Sequence, residues 1–345
     1  MINLMDLSCD ELKELAKELG QPAFRGKQIY EWIYRGAESF DDMTNLSKEF
    51  RRQLAEISRL SCGKICEKYV SEIDETRKYL IELSDGNFVE SVLMKYEYGY
   101  TICVSSQVGC KMGCKFCAST LNGWTRNLTP GEILAQVICV QKDLGQRISN
   151  IVMMGIGEPL DNFENVLKFI ELVNAPGGLN IGQRHISLST CGLADKIREL
   201  AEMKMQITLL ISLHAPDDVR RSQIMPVNNK YNIRELMSAC DFYMEQTGRR
   251  ISFEYTLISG VNDNIEEADK LAELVGGKLC HVNLIPVNKV TETGFDKSSR
   301  SRIEQFRARL EKRGIAATVR REMGSDINAA CGQLRNRKTN SIKQN

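Results

Sequence analysis

Apolar positions recur with a helical period over the first sixty residues, then with a period of two, and then in an alternation of both. Ser8 and Glu11 form a capping box, and Leu12, Leu15, Ala16 and Leu19 share one face of the helix that Gly20 ends. A second helix carries Ile29, Trp32 and Ile33, and a third starts near Ser47. From residue 65 to 104 the pattern turns to strands: Tyr79–Leu83, Asn87–Met94 and Tyr100–Val104, with turn signals at Asp85-Gly86 and Gly99. Beyond that, Thr129-Pro130-Gly131-Glu132 supplies an N-cap, a proline at the first helical position and a capping glutamate for a helix to about Leu144. Strands are expected at Ile151–Met154, His185–Ser189, Gln206–Leu213, Ile251–Leu257 and Val282–Pro286. Helices are expected at 162–174, 192–203, 233–247 (capped by Asn232 and Glu235) and 264–275. Repeated βα units with apolar strands imply an α/β fold, a parallel sheet covered by helices. Five or six units curl into a full or partial barrel, here read as a partial (β/α)6 barrel with a small N-terminal helical domain.

Length and composition agree with that reading. The 345 residues suffice for one large domain of ~250 residues plus a smaller one. No apolar run is long enough to span a membrane, and the start Met1-Ile2-Asn3-Leu4-Met5-Asp6 has no basic flank or apolar core, so a cytoplasmic protein is expected. Twelve cysteines in such a chain read as reduced thiols, ligands or catalysts, and only three histidines are present. The net charge of +1 is unevenly placed: residues 297–345 hold thirteen Lys and Arg against four Asp and Glu. A basic C-terminal segment suits a polyanion-facing surface or a solvated helix face and tail. Arg25, Lys27, Arg35, Arg51 and Arg52 are a second set that either faces RNA or is plain surface charge. No heptad seam or long apolar edge stands out, which points to a monomer.

The chemistry concentrates at Gly109-Cys110-Lys111-Met112-Gly113-Cys114-Lys115-Phe116-Cys117. Three thiolates at C-x3-C-x2-C spacing on a glycine-bearing loop can wrap one metal centre, and soft sulfur selects zinc or an iron–sulfur cluster. Three ligands are one too few for a closed zinc site unless a fourth comes from elsewhere. A four-iron cluster on three cysteines leaves one iron open to bind a ligand. In βα folds, ligands gather at the carboxyl ends of strands. Those ends carry Gly155-Ile156-Gly157-Glu158-Pro159, Ser187-Leu188-Ser189-Thr190, Ser212-Leu213-His214 and Asn288. The glutamate offers a carboxylate to an ammonium group. Cys331 lies in a small-residue loop flanked by Arg320, Arg321, Arg335, Arg337 and Lys338, where a thiol is more thiolate-like and phosphates can be held.

The cysteine triplet, the run Cys103-Val104-Ser105-Ser106-Gln107-Val108-Gly109-Cys110, Gly157-Glu158-Pro159 and Ala330-Cys331-Gly332-Gln333-Leu334 together resemble the bacterial radical S-adenosylmethionine (SAM) methyltransferases that act on C2 of adenine in RNA. The resemblance covers nearly the whole chain. It implies a radical SAM barrel that methylates C2 of an adenosine in 23S rRNA and of the adenosine next to the anticodon in some tRNAs. It also implies a [4Fe-4S] cluster on Cys110, Cys114 and Cys117, two SAM per turnover, and an electron donor such as flavodoxin or ferredoxin. By the same resemblance, Gly157, Glu158, Ser189, Ser212, Leu213, His214 and Asn288 contact SAM, and Glu90 is the proton acceptor. Cys331 takes a methyl group from one SAM. A 5′-deoxyadenosyl radical from a second SAM removes a hydrogen from that methyl, the carbon adds to C2, and Cys103 frees the product through a transient disulfide with Cys331. The implied division is 1–64 helical and RNA-contacting, 65–104 a β-rich connector, 105–325 the barrel, and 326–345 the catalytic-cysteine loop and basic tail. Two rivals remain: C8-directed methylation, as in an antibiotic-resistance relative with the same five cysteines, and a non-catalytic RNA-binding protein with a structural metal. Val108 in Gln107-Val108-Gly109 leans towards C2.

Overall fold

The computed structural model describes residues 1–288 and 294–327. Strands β1 (Ile2–Asn3) and β2 (Ser58–Arg59) pair in parallel and bracket helices α1 (Cys9–Glu18), α2 (Phe24–Tyr34) and α3 (Lys48–Ile57). The Ser8 hydroxyl accepts the Glu11 backbone N–H while the Glu11 carboxylate accepts that of Ser8, the reciprocal cap expected of that pair. Leu12, Leu15 and Ala16 then bury the inner face of α1.

Four antiparallel strands follow, β3 (Lys64–Val70), β4 (Arg77–Glu82), β5 (Phe88–Tyr96) and β6 (Gly99–Cys103). The first of them is absent from the pattern of hydrophobic positions. It is an outer edge with most of its side chains in solvent, so nothing in its composition alternates sharply. The cysteine loop leaves from the small ribbon of β7 (Gln107–Gly109) and β8 (Trp124–Asn127).

The alternating units begin with α4 (Pro130–Leu144) and β9 (Ile148–Met153). They continue through α5 (Phe163–Asn174), β10 (Ile186–Thr190), α6 (Ala194–Glu202), β11 (Thr208–Ser212), α7 (Asp218–Ile224), α8 (Ile233–Thr247) and β12 (Ile251–Leu257). The last are α9 (Ile265–Val275), β13 (Cys280–Pro286), α10 (Arg300–Lys312) and β14 (Ala317–Val319). One ten-stranded open sheet results, in the order β14-β13-β12-β11-β10-β9-β6-β5-β4-β3. Strand β6 pairs in parallel with β9, and every neighbour from there to β14 is parallel. The 65–104 region is therefore continuous with the barrel sheet, because β6 is both the last strand of the meander and the first of the parallel run. The expected elements between residues 150 and 286 fall within a few residues of their observed bounds.

The N-terminal helices are fastened to this sheet at the start of α4. Asp6 accepts the Gly131 N–H at 2.7 Å, and the Thr129 capping box closes the same turn. A Cβ on Gly131 meets the Met5 backbone and the Asp6 carboxylate at 2.7 Å. Alanine normally stabilises a helix relative to glycine by up to about 1 kcal/mol. At this position the sign inverts: Gly131→Ala is expected to destabilise by about 1–3 kcal/mol, as overpacked sites do. A urea midpoint equal to or above that of the parent chain contradicts this contact.

Candidate functional site

Parallel register gathers the carboxyl ends of the strands on one rim. A cavity of about 680 Å³ opens there, within the range of small-molecule sites. Cys110, Cys114 and Cys117 form one wall, and Gly157, Glu158, Ser189, Ser212, His214 and Asn288 stand around it. Cys103, at the end of β6, is a buried wall residue of the same cavity.

The cysteine loop is held by its backbone. Gly109 has φ +82°, and a Cβ there runs into the Gly123 carbonyl, so this crossing of β7 and β8 requires glycine. Cys110 donates its N–H to Gly123, Cys117 to Cys114, and the Thr120 hydroxyl donates to the Cys117 carbonyl at 2.9 Å. Burial pushes the Cys110 thiol up to about 12 and that of Cys114 higher still. Thiols so placed ionise when a metal supplies the positive charge. Among the described residues, no three His, Cys, Asp or Glu side chains converge as the ligands of one ion do. A four-iron cluster would ask for something else, thiolates spread over one wall rather than converging on a single ion. The donor set fits that group, sulfur on one wall and oxygen and nitrogen donors opposite.

Gly157 has φ +109°, and a Cβ there sits 2.6 Å from the side chain of Gln107. The Gln107 oxygen accepts the Glu158 N–H, while its amide donates to Asn127 and Asp161. Glu158 is buried, which raises its pKa, and its carboxylate already accepts the N–H groups of Leu160 and Cys191. It therefore locks the loop after β9 to the end of β10 as well as facing the cavity. Ser189 lies 3.4 Å from Ser212, hydroxyl to hydroxyl.

His214 adopts φ +58°, a left-handed conformation rare outside glycine. The Asn262 amide donating to its carbonyl and its own N–H donating to the Glu254 carbonyl hold it there. Its Nδ1 accepts the Thr256 N–H at 2.9 Å, so the neutral ring carries its proton on Nε2. The ring meets Phe116 of the cysteine loop edge-on, with centroids 4.9 Å apart.

Two expected residues stand apart. Leu213 is fully buried in the core and is not a wall residue, so only its backbone is near the cavity. Glu90 is not a wall residue either. It pairs with Lys78 at 3.1 Å, both side chains at 0 % exposure, on the face of the sheet that presents Val92 and Met94 to the cavity. Cys331, Arg335, Arg337 and Lys338 lie outside the described residues. Arg320 and Arg321 line the cavity. In the N-terminal set, Arg51 pairs with Asp41 and Arg52 with Glu49, while Arg25 and Arg35 lie over Phe24 and Trp32.

Glu254 was missed. It accepts a hydrogen bond from Ser189, is buried in the cavity wall, and has its pKa raised by that burial against the pull of Arg320. Its signal was the alternation Ser252, Glu254, Thr256 within an otherwise apolar strand.

Known proteins bear on this site. Residues 104–274 match the model of the radical SAM superfamily, and residues 2–60 match that of the ribosomal RNA large subunit methyltransferase N-terminal domain. A protein from Clostridium perfringens (strain SM101 / Type A), named a probable dual-specificity RNA methyltransferase RlmN, is 58% identical over 97% of each chain. Its namesake from Clostridium novyi (strain NT) is 54% identical over 97% of this chain and 98% of its own. The crystal structure of a radical SAM methyltransferase from Sphaerobacter thermophilus superposes with a TM-score of 0.92 at 44% identity, covering 96% of this chain and 99% of that one.

Burial, aided by the charge of Arg221, lowers the His214 pKa to about 3. Between about pH 3 and the ordinary value of 6.5 the unfolded chain binds a proton that the folded one refuses, so this residue's contribution to stability falls as pH drops through that window. In cluster-free protein the imidazole resonance that disappears in His214→Gln should not move between pH 5 and 8. A midpoint near 6.5 for that resonance contradicts the burial and hydrogen bonding described.

Proposed function

The chain belongs to the RlmN family of radical SAM RNA methyltransferases, and we propose that its reaction is methylation of adenosine at C2, in 23S rRNA and in some tRNAs next to the anticodon. As a member of that family it is a SAM-dependent enzyme with a [4Fe-4S] cluster. The observation that carries the residue assignments is a single cavity walled by three cysteines of one loop, by the polar strand ends and by Cys103.

When bound, the cluster and SAM supply the one-electron chemistry that an unactivated aromatic carbon requires. We assign Cys110, Cys114 and Cys117 to the cluster. Gly157 lets backbone approach SAM closely; Glu158, Ser189, Ser212, the Leu213 backbone, His214 through its Nε2 proton, and Asn288 hold and orient it. Cys331 accepts a methyl group as a thioether and presents that carbon to the base. Cys103, on the cavity wall, assists loss of the C2 proton, and Glu90, buried against Lys78 on the same sheet face as Val92 and Met94, is its acceptor. The Cys103 thiolate attacks the Cys331 sulfur: the carbon–sulfur bond to the product breaks, the bonding pair stays on the product carbon, which takes a proton to complete the methyl group, and a disulfide between the two cysteines remains. The base is reached unstacked, as bases are in enzymes that work on their ring carbons. The domain division 1–64, 65–104, 105–325 and 326–345 belongs to this reading, with RNA contacted by the first and last segments. An electron donor of the flavodoxin or ferredoxin kind completes it.

Protein reconstituted anaerobically with iron and sulfide should yield 2-methyladenosine in both RNA classes, read by mass spectrometry of nuclease digests. 8-Methyladenosine, or no methylation, overturns the proposal. Cys103→Ala should stall with RNA attached through Cys331, giving a shifted band on a denaturing gel. Nuclease should remove that shift, and the Cys103→Ala/Cys331→Ala double variant should lack it; normal turnover by Cys103→Ala would sink the scheme. Arg320→Glu and Arg321→Glu test the cavity mouth: each phosphate that goes unneutralised takes roughly 0.7–0.9 off the log–log salt slope of RNA binding. An unchanged slope makes these two arginines ordinary surface.

A further inference from the structure

Arg221, on α7, is the bulkiest fully buried side chain among the described residues. None of the described carboxylates forms an ion pair with it. Its Nε donates to the Leu213 carbonyl at 3.1 Å, and its Nη2 to those of Cys191 at 2.6 Å and Ser212 at 3.3 Å. Its Nη1 reaches the side-chain oxygen of Asn228 at 3.0 Å. Asn228 in turn donates to Asp218, which is exposed. A buried cation without a counter-ion is costly, and bracing carbonyls does not require a full charge.

The guanidinium braces the back of the cavity that the cysteine loop walls: Cys191 and Ser212, whose carbonyls it holds, line that cavity together with Cys110, Cys114 and Cys117. The Lys115 N–H donates to the Ile224 carbonyl, three residues beyond Arg221, at 2.9 Å. A Cβ on Gly113 touches Pro226 at 3.5 Å. The loop thus rests on the segment that carries the guanidinium.

We propose that Arg221 is a positioning residue that fixes a buried positive charge behind the cysteine loop and thereby raises the reduction potential of the cluster. This rests on the assignment of Cys110, Cys114 and Cys117 as its ligands. Adding an electron makes the cluster more negative, and a fixed cation in a low-dielectric setting stabilises the reduced form.

The test is anaerobic redox titration of reconstituted protein, followed by the cluster's visible absorbance and the electron paramagnetic resonance of its reduced form. Arg221→Gln removes the charge. Asn228→Asp, made in an Asp218→Asn background so that two carboxylates do not meet, leaves Arg221 in place and sets a near-isosteric carboxylate against it. Each should lower the reduced-to-oxidised ratio at a given potential at least tenfold, about 59 mV for a one-electron couple. Arg221→Lys, which keeps the charge, should stay close to the parent. If Arg221→Gln does not hold a cluster, Asn228→Asp decides. A parent-like potential in Asn228→Asp overturns the inference and leaves the cluster assignment standing. A parent protein that takes up no cluster overturns the assignment itself, and the inference with it.

Discussion

Parallel pairing from β6 through β9 to β13 is the constraint on which the site depends. Cys103, Glu158, Ser189, Ser212 and Asn288 are spread over nearly two hundred positions and meet because each lies at or just past the carboxyl end of a strand in one parallel run. In such a sheet each crossover returns the chain to the same edge, so a ligand met at one strand end is met at all. The meander from β3 to β6 extends the sheet without interrupting this order, and so Cys103 and the cysteine loop enter the rim from the opposite side to Asn288.

Side-chain amides tie the rim together. Gln107 joins the loop after β9 to Asn127 and Asp161, and Asp161 in turn pairs with Lys111 of the cysteine loop at 2.9 Å. Gln136 on α4 bonds both backbone groups of Ser105, and Asn162 bonds the carbonyls of Ser106 and Leu128. An amide carries donors and an acceptor without net charge, so it can satisfy buried backbone groups at little electrostatic cost. The loop is thereby positioned before any metal arrives.

The electrostatics of the cavity follow from burial. It raises the carboxyls of Glu158 and Glu254 and the thiols of Cys110, Cys114 and Cys191, and it lowers His214. Each shift favours a neutral group, and each makes the site more responsive to the charge a ligand brings. A metal restores the thiolates, and an ammonium or sulfonium draws the carboxylates down. Arg221, which stays charged, is the fixed reference in that setting.

Much of this was legible in the chain. Period-two and period-3.6 patterns placed β12 and α8 at their observed bounds, and the Ser8 and Thr129 caps are local chemistry that four consecutive positions specify. The cysteine spacing put three thiols on one short loop for the same reason, and that loop lines the cavity. The edge strand β3 was not visible, because a strand with a solvated face and no partner beyond it among the described residues has no burial to impose a pattern. Leu213 and Ser212 look alike as strand-end neighbours, and only the pleat sends one into the core and leaves the other on the cavity wall. Nothing in their own segments sets Glu254 and Arg221 apart as buried charges. Long-range pairing buried them, one under Ser189 and the other beneath three strand-end carbonyls. Local periodicity and capping are written in neighbouring residues and so are decided by sequence. Which charges lose their water depends on contacts between segments tens of residues apart, and that the tertiary structure decided.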